Sequence, residues 1–254
     1  MGVISPVGND VITFWDNLCN GVCGIESIKA FPTDNLPVGI AGIIKDFKPE
    51  EYGMDKPFIR KQDLFTQYGV AAAYQAMKQS GLVSQGEGQN IDPFRLGVYF
   101  GSGIGGFATQ YREIAKMIED PSGQWISPLF IPTMISNIAA GHIAIMHHAE
   151  GPCLDIVTAC ATSTNAMGEA FRAIRNGYAD AIITGGCENA TIPIGIVGFA
   201  NAKALSRATD PKYASLPFNA NRAGFVMADG SAALVLEEYE HAKARGAQIL
   251  GEMV

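Results

Sequence analysis

The chain has 254 residues, 48% of them hydrophobic and 17% charged, with a formal net charge of −7 at neutral pH. That apolar fraction fills a sizeable core and excludes a disordered chain, and the acidic balance argues against nucleic acid as a main partner while allowing a local basic patch for an acidic protein. No apolar run reaches the length of a membrane span, so no membrane partner is expected, and the length fits one large or two small domains.

Gly2 to Asn9 reads as a turn-rich opening, after which Asn9 or Asp10 caps a helix carrying Val11, Phe14, Trp15 and Leu18 as far as Gly21. Val38 to Ile44 reads as a strand, and Lys45 to Pro57, with Pro49 and Gly53, as a surface excursion. Arg60 and Lys61 precede a helix over Asp63 to Ser80, with Leu64, Tyr68, Ala71, Ala72, Gln75 and Ala76 on one face and Gly81 as its stop.

Arg95 to Phe100 is a strand leading into Gly101-Ser-Gly-Ile-Gly-Gly106, which matches G-x-G-x-x-G. A nicotinamide site also needs an acidic residue closing a second strand about twenty positions on. Glu119 and Asp120 have the right count but lie in a polar turn before Pro121, so the glycines are read as allowing close backbone approach to a pocket or another chain. A short helix over Ile114 to Ile118 and a Pro-broken stretch from Pro121 to Pro132 follow. Met134 to His147 is the next helix, with a small Ala139-Ala140-Gly141 centre.

Leu154 to Thr158 suits a buried strand. From Ala161 the period changes, with Met167, Phe171 and Ile174 at i, i+4 and i+7 and Gly177 as the stop, so Cys160 falls at a strand-to-helix corner. The first turn of a helix offers unpaired N–H groups and the positive end of the macrodipole, which favour a thiolate and a developing oxyanion. Ala159, Ala161, Thr162 and Ser163 are small enough to admit a carbonyl. Two readings stand together: a nucleophile, or a buried cysteine packing as a small hydrophobe.

Ala179 to Gly185 is a buried strand, and Ile192 to Phe199 a pocket-lining loop with a short helix. Ala223 to Met227, a turn at Ala228-Asp229-Gly230 and Ser231 to Leu236 predict a hairpin. A charged helix over Glu237 to Gly246 follows, and Gln248 to Val254 begins a strand-like run. The alternation points to an α/β fold. The five cysteines, at 19, 23, 153, 160 and 187, make an odd count without a secretory leader, so a reduced, cytoplasmic setting is expected. Cys19-x3-Cys23 has no companion cluster, so no metal is expected.

Thr158-Ala-Cys160-Ala-Thr-Ser, Gly101 to Gly106, Asn137-Ile-Ala-Ala-Gly-His142, Ala204-Leu-Ser206, Gly224-Phe-Val-Met-Ala-Asp-Gly230 and Leu236 to Lys243 resemble the beta-ketoacyl-[acyl carrier protein] synthases, type II elongating kind. The resemblance implies a thiolase-like layered α-β-α-β-α fold, here mainly its N-terminal half, and a decarboxylating Claisen condensation without cofactor. It implies Cys160 as nucleophile, Ile104 and Phe199 in the acyl pocket, and Phe130 reaching across a homodimer interface. Arg60, Lys61 and Lys203 match positions that meet the acidic acyl carrier protein, while Gln124 and Trp125 stand where better-known relatives are basic.

Almost none of the family's first strand is found here, and nothing replaces its two active-site His, its Lys and its Gly-Phe-Gly loop. His142 and His241 fall at positions read as helix packing and surface. Residues 1–254 are therefore expected to form one N-terminal ketosynthase domain of a longer enzyme, unable to condense alone. A non-catalytic, dimerising or carrier-binding half-fold and a polyketide-type ketosynthase are the alternatives. A thiolase or a nicotinamide-linked oxidoreductase stands behind them.

Overall fold

Strands buried on both faces carry near-continuous apolar runs, and two such runs, at 96–101 and 181–188, lie side by side and parallel in a five-stranded sheet. The computed structural model describes all 254 residues. In chain order the elements are β1 (Gly2–Ile4), α1 (Val11–Cys19), β2 (Ile25–Ser27), β3 (Ile40–Gly42), α2 (Lys56–Lys61), α3 (Leu64–Ser80), β4 (Leu96–Gly101) and α4 (Phe107–Glu119). There follow α5 (Phe130–Met134), α6 (Ile138–Met146), β5 (Cys153–Leu154), α7 (Thr162–Arg175), β6 (Ala181–Glu188), α8 (Pro193–Asn201), β7 (Gly230–Glu237) and α9 (Tyr239–Ala244).

The sheet order is β1-β7-β6-β4-β5, with β4 parallel to β5 and β6, and β7 antiparallel to β6 and β1. Alternation along the strands assigns each side chain to a face. Leu96, Val98, Phe100, Ala181 and Ile183 join the cluster of α3 and α6, whereas Tyr99 and Ile182 join that of α7. The result is three layers, α-β-α. A satellite lobe packs the β2–β3 hairpin against α8 around Ile28, Val38, Ile40, Ile196 and Leu205. No helix is long and apolar enough to cross a membrane.

Several sequence expectations change. The opening turn contains β1, because Gly2 to Ile4 pairs with Ser231 to Ala233. The strand at Val38 to Ile44 shrinks to β3, the helix at Ile114 to Ile118 grows into α4, and the helix from Met134 begins at Ile138 after α5 has ended. The expected apolar face of α3 is too narrow: burial runs unbroken from Phe65 to Ala73, while Leu64 is exposed. Leu154 to Thr158 is not a buried strand; only Cys153 and Leu154 pair, at the sheet edge, where just one neighbour covers them. Residues 248–254 have no regular structure.

The hairpin over Ala223 to Leu236 is also absent. Asp229 is buried and accepts hydrogen bonds from Asn189 Nδ2 at 2.9 Å and from the backbone N–H of Ala190 and Thr191 at 3.1 and 3.0 Å. The Asp-Gly pair thus serves a long-range anchor and not a tight turn, and β7 pairs with β6 and β1.

Candidate active site around Cys160

Parallel strands β4, β5 and β6 point their carboxyl ends to one edge of the sheet, the place where open α/β sheets bind ligands. From that edge the Gly101–Gly106 loop leaves β4, and the 155–161 segment leaves β5 carrying Cys160. Two glycines let these segments settle on the strand ends. A Cβ on Gly101 would lie 2.0 Å from the Ile156 carbonyl oxygen, and one on Gly186 would lie 2.3 Å from Ser163 Oγ.

Cys160 is exposed and sits in a single 3-10 turn, Ala159–Ala161, directly before α7. The exposure rules out the reading of a buried cysteine that merely packs. Ala159 has φ +52°, a left-handed conformation that costs a non-glycine residue about 1–2 kcal/mol and marks a strained elbow. Thr162 braces the elbow by accepting the Thr158 N–H at 2.9 Å on its buried hydroxyl. Ala170 and Ala173 then seat α7 on Tyr99 and Ile182 with short side chains. No side chain caps the helix start, so its first N–H groups remain directed at the elbow.

The neighbouring loop is held by a carboxylate that the sequence reading missed. Glu188 Oε1 accepts the Ser102 hydroxyl at 2.9 Å and Oε2 accepts the Gly103 N–H at 2.8 Å, while Ser102 Oγ accepts the Gly105 N–H at 2.9 Å. These bonds occupy donors that a pyrophosphate would use in a dinucleotide site, and the glycines allow close approach to the Ile156 and Met134 backbones of the same chain, where a pocket or another chain was expected. Burial pushes the Glu188 carboxyl above its usual range, and the Ser102 and Gly103 donors partly offset this. Asp155, also missed, accepts the Ser136 hydroxyl at 2.5 Å through Oδ2, while Oδ1 is buried without a partner. Burial raises its carboxyl too. The available signals were a Glu closing a buried strand and an Asp inside the apolar run Leu154 to Val157.

The predicted site residues divide into three groups. Ile104 is at the tip of the Glu188-bound loop, and Gly103 beside it packs toward Ala159, whose oxygen would be 3.7 Å from a Cβ there. Phe199, on α8, meets Phe225 edge to face at 5.5 Å, and exposed Lys203 follows just past the same helix. Arg60, Lys61 and Phe130 line a cleft of about 370 Å³ together with Arg112 and Leu129. Neither Cys160 nor Ile104 lines that cleft. Beside it, Gln124 and Trp125 are exposed in a connection tied down by buried Glu113, which accepts the Ser127 N–H at 2.9 Å.

The four histidines stand apart. His142 packs edge-on against Phe58, His147 is largely buried, His148 is exposed, and His241 Nδ1 meets Glu237 at 2.6 Å. His, Cys, Asp and Glu side chains gather into no group of three that would hold a metal ion.

The sequence matches the family described as Beta-ketoacyl synthase, N-terminal domain, over residues 1–242. Over its full length it is 46% identical to a 3-oxoacyl-[acyl-carrier-protein] synthase 2 of Vibrio cholerae and 44% identical to one of Staphylococcus aureus. The chain spans 60% of the length of each of these relatives. Among solved structures, a beta-ketoacyl synthase from Burkholderia phymatum superposes with a TM-score of 0.83 at 27% identity, over 98% of this chain and 60% of that one. A type II polyketide synthase ketosynthase, in complex with its acyl-carrier protein and bound to a hexaketide, gives 0.85 at 29% identity, over 98% and 59%.

Proposed function

Because the chain belongs to the beta-ketoacyl synthase family, we propose that Cys160 is the acyl-accepting nucleophile of a 3-oxoacyl-[acyl-carrier-protein] synthase that elongates fatty acyl chains. The observation that carries the reading is the exposed sulfur on a strained elbow at the mouth of α7. The Cys160 thiolate attacks the carbonyl carbon of an acyl thioester on the carrier protein. The resulting oxyanion is received by N–H groups at the start of α7, including that of Cys160. The bond to the carrier sulfur then breaks, the carrier leaves as a thiolate that takes its proton from solvent, and the acyl group remains on Cys160.

In the condensing step, malonyl-carrier protein loses CO2 and its carbanion attacks the Cys160 thioester, expelling the thiolate and giving the 3-oxoacyl product. None of the chain's histidines is bonded to the Cys160 or Gly101–Gly106 segments, so the geometry supports acyl transfer without condensation by these 254 residues. Ile104 and Phe199 face the acyl chain. Arg60, Lys61 and Lys203 dock the acidic carrier protein, with Arg112 added to the first two by the shared cleft. A carrier protein as partner is supported by the solved ketosynthase complex. The exposed edge at Leu154 and Val157 supports a homodimer in which Phe130 reaches the partner, and the odd set of free thiols supports a cytoplasmic setting.

The test is intact-mass analysis after incubation with an acyl-carrier thioester. One acyl adduct at Cys160, absent in Cys160→Ala, is the expected result. An adduct elsewhere, or none, favours a non-catalytic carrier-binding role. Formation of 3-oxoacyl product above the Cys160→Ala background refutes the restriction to acyl transfer. A polyketide-type ketosynthase is the second reading, favoured by the hexaketide-bound relative, and the length of acyl chain accepted separates the two.

A further inference from the structure

β4 and β6 run in register to Gly101 opposite Gly186, but β6 continues to Glu188. The Glu188 carboxylate therefore overhangs the start of the loop that leaves β4, where its two oxygens take the Ser102 hydroxyl and the Gly103 N–H. Ser102 passes the restraint on by accepting the Gly105 N–H, so the positions on both sides of Ile104 are fixed from a single carboxylate. The far end of the loop is held by the Gly106 N–H, which donates to Met134 O at 2.9 Å.

Ile104 itself is only partly covered. The residue is 37% exposed, and four of the six residues from 101 to 106 are glycine, a backbone with wide conformational freedom unless it is tied. A Cβ on Gly103 would lie 2.7 Å from Glu188 Oε2 and 3.7 Å from Ala159 O, so the Gly103 backbone lies between the carboxylate and the Cys160 elbow. Ser102 is buried, so loss of its acceptor leaves a buried donor unpaired and the loop free to move.

We infer that Glu188 is a positioning residue that fixes Ile104 relative to Cys160 and so sets which acyl chain lengths the cysteine accepts. The inference rests on the proposed reading of Cys160 as the acyl-accepting nucleophile and of Ile104 as facing the acyl chain. Glu188 does not touch the acyl group; it acts through the loop.

The experiment compares wild type, Glu188→Gln and Glu188→Ala by two measurements. One is amide hydrogen exchange of the 101–106 segment. The other is the rate of Cys160 acylation by acetyl and dodecanoyl thioesters of the carrier protein, followed by intact mass. In Glu188→Ala, loop exchange rises about tenfold while α3 and β6 stay protected, and the dodecanoyl-to-acetyl rate ratio shifts about tenfold. Glu188→Gln keeps the shape and one oxygen acceptor and falls between, which preserves the test if the alanine variant does not fold. Unchanged loop exchange, or an equal slowing of both thioesters in chains that are acylated, overturns the role of Glu188 alone. No acylation of the wild-type chain overturns the reading of Cys160 itself, and the chain-length role with it.

Discussion

The two faces of the sheet are built to different ends. On one, α3 is buried from Phe65 to Ala73 and contributes to a cluster of 23 buried residues that includes Phe100, Val98 and Ile183. On the other, α7 rests on a cluster of five, and its own buried residues are Thr162, Ala166, Ala170 and Ala173. Large side chains on the first face remove much apolar area from water and stabilise the fold. Short ones on the second let a helix approach the sheet closely and leave its N-terminal end, with Cys160, exposed. Stability and access are thus assigned to opposite sides of the same strands.

The sharpest way to break this contrast is to truncate both faces. Phe100→Ala removes a fully buried ring and is expected to cost about 3–5 kcal/mol in chemical denaturation. Phe171→Ala on half-buried α7 is expected to cost about 1 kcal/mol. Equal losses would mean that both faces carry the fold. Gly101→Ala tests the open side through its backbone, since the new methyl would meet Ile156 O at 2.0 Å and displace the segment leading to Cys160. The rate of Cys160 acylation should fall about 100-fold, and an unchanged rate would show that the elbow is set elsewhere.

A pH series sharpens the comparison on the α3 side. Burial, and then the charge of His148, lower the His147 pKa to about 4 from an ordinary 6.5. Above 6.5 the ring is neutral in both states and has no effect. As pH falls from 6.5 toward 4 the unfolded chain takes up the proton first, so stability falls, by up to about 3 kcal/mol, and the effect levels off below. Asp155, Glu188 and Asp229, whose carboxyls burial raises, act in the opposite sense as pH falls. The difference between wild type and His147→Gln in denaturation midpoints isolates the histidine; parallel curves would contradict its burial. The smallest effect is expected at Trp15, which is 63% exposed on a helix with no buried residue. Trp15→Ala should change stability by less than about 0.5 kcal/mol by the same assay.

Much of this was legible in local pattern. Asp63 and Gly81 bracket α3 as a capping side chain, accepting the Phe65 N–H, and a left-handed stop at φ +68°. Gly177, at φ +76°, follows α7 as its spacing required, and Cys160 does fall just before that helix, although the strand expected to lead into it ends at Leu154. These features depend on residues within a few positions of one another, so sequence alone determined them.

What the sequence left open depends on partners far along the chain. Asp229-Gly230 has the composition of a tight turn, but its carboxylate is claimed by residues some 40 positions earlier, and the strand beyond it pairs with β6 and β1. Leu154 to Thr158 has the composition of an interior strand, and only the order of the sheet places it at an exposed edge. Glu188 and Ser102 are separated by 86 residues and meet only because β4 and β6 are parallel neighbours. Short-range periodicity and capping chemistry therefore determined the elements and the place of Cys160. Only strand order and long-range hydrogen bonding decided which carboxylates hold the loop beside it.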